Sequence, residues 1–135
     1  MAYAKDVTRQ YPLVAIGTVS IGNLTSGAAL GLIDLPAGAL VVYGWYEVTT
    51  VFNSQSSDAV TVSMNGHTYI NDTDATAKVH TDFTMPTTTD TGLNALTAPD
   101  TLDVTWTGGG TKGTTGTVKV VVAYVLANRC NEIQP

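Results

Sequence analysis

Charged residues are scarce in this sequence. Only 13% of its 135 residues are charged, about half the roughly 25% of an ordinary soluble domain. Six basic residues against eleven acidic ones leave a formal net charge of −5. This balance argues against a nucleic-acid-binding module, because phosphate neutralisation needs Lys and Arg. The chain is also 44% hydrophobic, which is not the composition of a disordered protein. Some uncharged polar residue must therefore cover its surface.

Cysteines and long apolar runs are also lacking. Cys130 is the only cysteine, so the chain forms no internal disulfide and has no zinc-ligand spacing. We interpret Cys130 as a tail residue without chemistry rather than a nucleophile or an intermolecular cross-link, since no histidine lies near it. No run approaches the roughly 18 apolar residues of a transmembrane helix, and no apolar segment follows Met1 as in a secretory signal. We therefore expect no membrane partner and synthesis in a reducing cytoplasm.

Threonine and valine fill the composition instead. The sequence has 23 threonines and 16 valines, and both residues are β-branched and suited to a pleated surface. Glutamate, a common residue on helix surfaces, occurs only at Glu47 and Glu132. This composition predicts an all-β protein whose strands carry threonine on their outward faces.

Apolar–polar alternation and turn residues predict about eight strands. The fold class they favour is a two-sheet antiparallel sandwich or jelly roll with long loops and no significant helix. We expect an N-terminal arm at residues 1–11, a single β-sandwich domain at 12–127 and a C-terminal tail at 128–135. The predicted strands are 13–19, 28–35, 40–52, 59–65, 68–70, 101–107 and 117–126, with one or two short strands and a single helical turn at most in 71–100.

Three details of this layout can be predicted from local patterns. Asn65-Gly66 is typical of a type I′ hairpin turn. Gly108-Gly109-Gly110 indicates a flexible, hairpin-like connection that runs to Gly116. In the strand 40–52, strict alternation places Val41, Tyr43 and Trp45 on one face and Gly44 and Tyr46 on the other. Both faces begin apolar, so we expect part of this strand to be covered on both sides.

The sequence offers few groups for catalysis. Its two histidines are His67, beside the hairpin turn, and His80, in the polar middle of the chain. Either residue type can act as a general base, but we interpret His67 as a turn residue and His80 as a surface residue. No Gly-x-Ser-x-Gly or His-Glu-x-x-His motif is present. We therefore expect no enzyme activity and no cofactor.

One polar loop and one aromatic group keep alternatives open. Asn71-Asp72-Thr73-Asp74 carries oxygen ligands suited to Ca²⁺, but it lacks the spacing of a twelve-residue calcium loop. We favour Asx-type turns there and no metal. Four aromatic residues fit either the core or a platform that binds a sugar: Tyr43, Trp45, Tyr46 and Trp106. The alternative function is therefore a carbohydrate- or ligand-binding sandwich.

The most specific pattern is a series of turns and strands across residues 30–130. It begins with Leu35-Pro36-Ala37-Gly38-Ala39 and continues through 48–54 and 57–62. Its later parts are Asp100 to Thr107, Gly113-Thr114-Thr115-Gly116, the strand Val118 to Val125 and Arg129. This pattern resembles small structural proteins of tailed-bacteriophage virions, in particular capsid cement or decoration proteins with a jelly-roll fold.

The resemblance implies a non-enzymatic role. A member of this group would bind and stabilise the assembled shell of the major capsid protein, and would be a homo-oligomer, either a dimer or a trimer. It would be made in the host bacterial cytoplasm and located on the capsid surface of the virion. The acidic charge would limit adhesion to nucleic acid. We expect the arm and the tail to order on the capsid and to supply the interface residues Tyr3, Arg9, Tyr11 and Arg129.

Overall fold

The computed structural model describes residues 8–87, 94–127 and 132–133. They form ten strands and one short 3₁₀ helix, Ile21–Asn23, which confirms the all-β prediction. The strands are β1 (Thr8–Arg9), β2 (Leu13–Ser20), β3 (Ala29–Leu35), β4 (Ala39–Thr50), β5 (Ser57–Met64), β6 (His67–Asp72), β7 (His80–Asp82), β8 (Asp100–Gly109), β9 (Thr117–Leu126) and β10 (Glu132–Ile133).

Eight of these strands build two four-stranded antiparallel sheets. One has the order β2-β9-β4-β7 and the other the order β3-β8-β5-β6. Consecutive strands such as β2 and β3 therefore alternate between the sheets, which is the connectivity of a jelly roll. The predicted sandwich is thus confirmed, with its topology now defined. Strands β1 and β10 pair with each other outside both sheets, while the division into arm, domain and tail stays a prediction.

The core lies between the two sheets and follows the predicted alternation. In β8 the side chains of Leu102, Val104 and Trp106 are buried, whereas Asp103 and Thr105 between them are half-buried. In β9 the side chains of Val118 and Val120 have no exposed surface. Because every second residue of a strand points to the same face, this alternation fixes the register of each strand against the core.

The two faces of β4 differ from their prediction at one point. The register against β9 shifts between Val41 and Tyr43, so Val42 is the extra residue of a β-bulge. Val41 consequently joins the buried core with Gly44 and Tyr46 instead of lying on the same face as Tyr43. Strict alternation was therefore wrong for Val41, because the bulge inserts one residue into the strand.

The hairpin predictions have opposite outcomes. Asn65 has φ 51° and Gly66 has φ 78°, as a type I′ turn requires, and β5 pairs with β6 across it. The prediction of a hairpin-like connection after β8 was wrong, since β8 and β9 belong to different sheets. Gly108 and Gly109 lie within β8 itself. A Cβ atom at Gly108 would overlap the ring of Trp106, so close packing explains this glycine.

The region 71–100 contains one strand among its described residues, β7. Phe83 and Leu96 are buried anchors, and Val79 and Met85 pack against the core. The only helical turn in the described ranges lies at Ile21–Asn23, and the single turn allowed for in 71–100 stays a prediction because residues 88–93 lie outside the described residues.

Candidate protein-interaction surface

The outer faces of the two sheets differ in polarity. On the β3-β8-β5-β6 sheet, the outward positions of the central strands are residues such as Thr61, Ser63 and Thr105. This agrees with the prediction of outward threonine. None of the described large hydrophobic residues that are exposed lies on this sheet. They lie on β2, on β4 or directly before β2: Tyr11, Val14, Ile16, Val42 and Tyr43.

Strand pairing joins three of these side chains, Val14, Ile16 and Tyr43, with their cross-strand neighbours into a continuous patch on the β2-β9-β4-β7 sheet. Ile16 and Trp45 lie on either side of Val121 in one cross-strand row. Residues in such a row have neighbouring side chains on the same face. A second cross-strand row lies beside the first and runs from Val14 on β2 through Ala123 on β9 to Tyr43 on β4. We call this patch the apolar face, and it consists of Val14, Ile16, Tyr43, Trp45, Val121 and Ala123.

Val121 shows how closely the apolar face is packed. It points away from the core cluster, which includes its neighbours Val120 and Val122. Its side chain is nevertheless only 4% exposed, because the adjoining strands supply Ile16 and Trp45. The edge of the face is open by comparison, since Val14 is 62% and Ile16 is 65% exposed.

Polar pairs border the apolar face. Nζ of Lys119 lies 3.0 Å from Oε2 of Glu47 in a half-exposed ion pair. The Tyr43 hydroxyl donates a hydrogen bond of 3.1 Å to Oδ1 of Asp82. That hydrogen bond is the main cause that raises the pKa of Tyr43 above its usual value. The pairing of Lys119 with Glu47 gives this border balanced charge in an acidic chain, and an apolar centre with a polar border is typical of a protein interface.

The four aromatic residues grouped from the sequence do not form a common platform. Tyr46 and Trp106 are buried in the core, while Tyr43 and Trp45 lie on the apolar face. The ring planes of Tyr43 and Trp45 are inclined by 53°, with centroids 5.8 Å apart. Trp45 and His80 are inclined by 48°. These tilted rings give a ridged surface rather than a flat one on which a sugar ring stacks.

The histidines lie on different sheets, His67 on β6 and His80 on β7. Nε2–H of His67 donates a hydrogen bond of 2.7 Å to the carbonyl oxygen of Thr84. The His67 ring also meets the ring of Tyr69 edge-on, at a centroid distance of 4.6 Å. His67 follows the turn as predicted, and it is buried. His80 is exposed, as predicted. The two imidazoles therefore do not converge on one site.

The polar loop at 71–74 forms the turns expected for Asn and Asp. Oδ1 of Asp72 accepts a hydrogen bond of 3.0 Å from the backbone N–H of Asp74. Asp74 in turn accepts hydrogen bonds from Thr76, which lower the pKa of its carboxyl group. Among the described residues, no three His, Cys, Asp or Glu side chains group as metal ligands do.

Of the four interface residues predicted from the resemblance, only Arg9 and Tyr11 belong to the described residues. Tyr11 is 76% exposed, and the backbone of Arg9 belongs to β1. Tyr3 and Arg129 lie outside the described residues, as does Cys130. These four interface assignments stay predictions.

The apolar face was missed in the sequence, although two signals mark it. Val14 and Ile16 alternate with the apolar residues Leu13 and Ala15, and 120–123 is an unbroken apolar run. A strand that is apolar on both faces is typically covered on both. In this structure the second face of β2 is open.

Comparisons with known proteins find the fold but no close relative. No protein-family model and no curated protein sequence matches the chain.

Among the described residues, no helix is long and apolar enough to cross a membrane.

Solved structures of three bacteriophage capsids contain chains of similar fold. A chain in the capsid of Ralstonia phage GP4 has a TM-score of 0.64 and 15% identity, with 96% of this chain and 92% of that chain covered. A chain in the acid-stable capsid of Helicobacter pylori bacteriophage KHP30 has a TM-score of 0.61 and 16% identity, with 97% and 98% covered. A chain in the capsid asymmetric unit of cyanophage Pam1 has a TM-score of 0.57 and 17% identity, with 93% and 91% covered. The jelly roll described here is therefore a fold that also occurs in bacteriophage capsids.

Proposed function

We propose that this protein is a non-enzymatic structural component of a bacteriophage virion, a cement or decoration protein that binds and stabilises the assembled shell of major capsid protein. The observation that carries the proposal is the apolar face, which lies on a fold shared with chains of three phage capsids. Large exposed apolar patches with polar borders mark interaction sites on soluble proteins.

The lengths of the matched chains support a component of this size. Coverage exceeds 90% of both partners in all three comparisons, so each matched chain is close in length to this one. The likeness therefore extends over nearly the whole length of each matched chain. A small accessory protein on the shell fits that size.

The charge of the chain favours the outer surface of the shell. With a net charge of −5, the protein is repelled by packaged nucleic acid. Lys119 and Glu47 at the border of the apolar face neutralise each other, so contact with the major capsid protein would leave neither of these two charges unpaired. The threonine-rich face of the other sheet then points to solvent.

Further parts of the proposal concern assembly and location. We infer that the protein acts as a homo-oligomer, that it is made in the host bacterial cytoplasm, and that it resides on the virion. The arm and the tail would add contacts through Tyr3, Arg9, Tyr11 and Arg129 after docking. Such contacts would add binding surface to that of the apolar face.

The test uses heads that lack this protein. Purified protein is mixed with heads from a phage whose copy of this gene is deleted, and the heads are sedimented. We expect saturable binding and an increase in the temperature at which the heads release DNA. Mass spectrometry of wild-type virions should detect the chain. Its absence from virions together with a lack of binding to heads would overturn the proposal.

The second candidate is a carbohydrate-binding module: Tyr43 and Trp45 are adjacent on an open face, although the tilt of their rings disfavours flat stacking of a sugar. A glycan array tests it. Binding that disappears in Trp45→Ala would support this function, and a blank array would count against it.

A further inference from the structure

Strand β2 is an edge strand of unusual character. Among the described residues it pairs only with β9, over eight consecutive residues and without a register shift. It contains no charged residue and no proline, since Pro12 lies before its first residue. Natural edge strands are commonly blunted by charge, proline, bulges or short length, because an open edge otherwise pairs with another chain.

The other three edges of the sandwich have such features. Strand β7 has only three residues and contains His80 and Asp82. Strand β3 contains a register shift and Asp34. The pairing of β6 with β5 contains a register shift, and β6 ends at Asp72. Strand β2 is thus the one edge of the two described sheets that is long, regular and uncharged.

The open backbone groups of β2 can be assigned to particular residues. The N–H of Ile21 donates to the carbonyl oxygen of Gly116 at 2.9 Å, and Ser20 lies opposite Thr117. Hydrogen-bonded and non-hydrogen-bonded pairs alternate along an antiparallel ladder, so the odd-numbered residues of β2 bond to β9. The N–H and C=O groups that point away from β9 belong to the even-numbered residues: Val14, Ile16, Thr18 and Ser20.

We infer that β2 pairs antiparallel with β2 of a second copy of this chain, so that two sandwiches share one continuous eight-stranded sheet. A two-fold axis places the same open donors and acceptors opposite each other, because the surface is self-complementary in an isologous dimer. Two chains of charge −5 repel each other, and β2 lets them approach along a strand that contributes no charge.

The side chains of β2 also favour a second copy of this chain as its partner. Val14 and Ile16 carry both open backbone groups and highly exposed apolar side chains. Antiparallel pairing brings the β2 side chains of both copies next to each other and joins the two apolar faces into one. This inference rests on the homo-oligomer part of the proposed function and not on capsid binding. If capsid binding also holds, the joined face would bind the shell with greater avidity.

Thr18→Pro tests the inference, with Thr18→Ala as its matched control. Proline at position 18 removes an N–H that points away from β9 and leaves the β2–β9 ladder intact, whereas alanine keeps that N–H. The mass of the full-length protein is measured by light scattering over a concentration series. We expect a dimer for the wild type and for Thr18→Ala, and at least a tenfold weaker dimer for Thr18→Pro.

A second pair of variants keeps the test decisive if Thr18→Pro does not fold. Ile16→Lys places like charges close together across the two-fold axis, and Thr61→Lys adds the same charge to the outer face of the other sheet. Ile16→Lys should be monomeric and Thr61→Lys dimeric, with circular dichroism showing that both are folded. A monomeric wild type, a trimer, or a dimer unaffected by both β2 variants would overturn the inference.

The outcomes for the two proposals are separable. A monomeric wild-type protein that binds phage heads would overturn the β2 pairing and the homo-oligomer on which it rests, and would leave capsid binding intact; a trimer that binds heads would overturn the β2 pairing alone. A dimer that fails to bind heads would overturn the capsid proposal alone.

Discussion

The indole N–H of Trp106 donates a hydrogen bond of 2.8 Å to Oδ1 of Asp58. Both residues are buried, at 2% and 1% exposed. Oδ2 of the same carboxylate accepts a hydrogen bond of 2.9 Å from the backbone N–H of Ser54. A charge inside the sandwich is therefore satisfied by one donor from β8 and one from the loop before β5. This arrangement fixes the loop to the sheet, and the sequence alone assigned no role to Asp58.

Asp58→Asn should lower the free energy of unfolding by about 1–3 kcal/mol, the range for leaving a buried donor unsatisfied. An amide has one acceptor oxygen, so its NH₂ group would face either the indole N–H or the N–H of Ser54. Asp34→Asn is the control, because it makes the same charge change at an exposed position of β3 and should cost less than about 0.5 kcal/mol. Urea unfolding at a fixed protein concentration measures both. Equal effects of the two substitutions would contradict a special role for Asp58.

Gly44→Ala should destabilise the protein, because β4 leaves no room for a methyl group there. A Cβ atom at this position would lie 2.5 Å from Cδ2 of Phe83 and 2.7 Å from the carbonyl oxygen of Val121. Overpacking of this kind typically costs about 1–3 kcal/mol. At Gly22 no atom lies within 4 Å of such a Cβ, so Gly22→Ala should change the melting temperature little. A stable Gly44→Ala variant would show that Phe83 can move away.

Loss of the hydroxyl group should change the free energy of unfolding in opposite directions at two buried tyrosines. The hydroxyl of Tyr46 donates a hydrogen bond of 2.9 Å to Oδ2 of Asp72. The hydroxyl of Tyr69 has no hydrogen-bond partner among the described residues. Tyr46→Phe should therefore lower the free energy of unfolding by about 1 kcal/mol, and Tyr69→Phe should raise it by a similar amount. Calorimetry of the two variants checks this, and a loss of stability in Tyr69→Phe would indicate a partner for that hydroxyl.

The same tyrosines predict a loss of stability at alkaline pH. Burial, followed by the charge and hydrogen bond of Asp72, raises the pKa of Tyr46 above the ordinary value of 10.0. Burial also raises the pKa of Tyr69. Because the folded pKa values are raised, the stability these groups contribute is fully present below pH 10. It is lost as the pH rises towards the folded pKa values, since the unfolded chain ionises first.

Urea unfolding of the wild type and of Tyr46→Phe/Tyr69→Phe, compared at neutral pH and above pH 10, measures this contribution. The wild type should lose more stability than the double variant over that interval. Identical pH dependence would mean that both phenols ionise as easily in the folded protein as in the unfolded chain.

Local signals in the sequence were sufficient for the fold class and for seven of the ten described strands, β2 to β6, β8 and β9. The alternation in 117–126 predicted β9 to the residue, and Asn65-Gly66 predicted the hairpin between β5 and β6. These features depend on residues close together in the chain, which is why pattern reasoning reaches them.

Features that depend on distant partners were not predicted. The bulge at Val42 results from the pairing of β4 with β9, and Gly108 is explained by the ring of Trp106. The apolar face requires β2, β9 and β4 to be adjacent, although they are far apart in sequence. A strand that is apolar on both faces predicts cover on both, so the open second face became evident only in the assembled sheet.

The role of the apolar face in binding the capsid can be tested by comparing the binding of two variants to phage heads. Trp45→Lys places a charge on the apolar face, and Thr61→Lys places the same charge on the threonine-rich face of the other sheet. Both positions lie on central strands, and thermal unfolding verifies that both variants are folded. We expect Trp45→Lys to bind heads lacking the protein at least tenfold more weakly than the wild type, and Thr61→Lys to bind like the wild type. Wild-type binding by Trp45→Lys, or loss of binding by Thr61→Lys alone, would contradict this role of the apolar face.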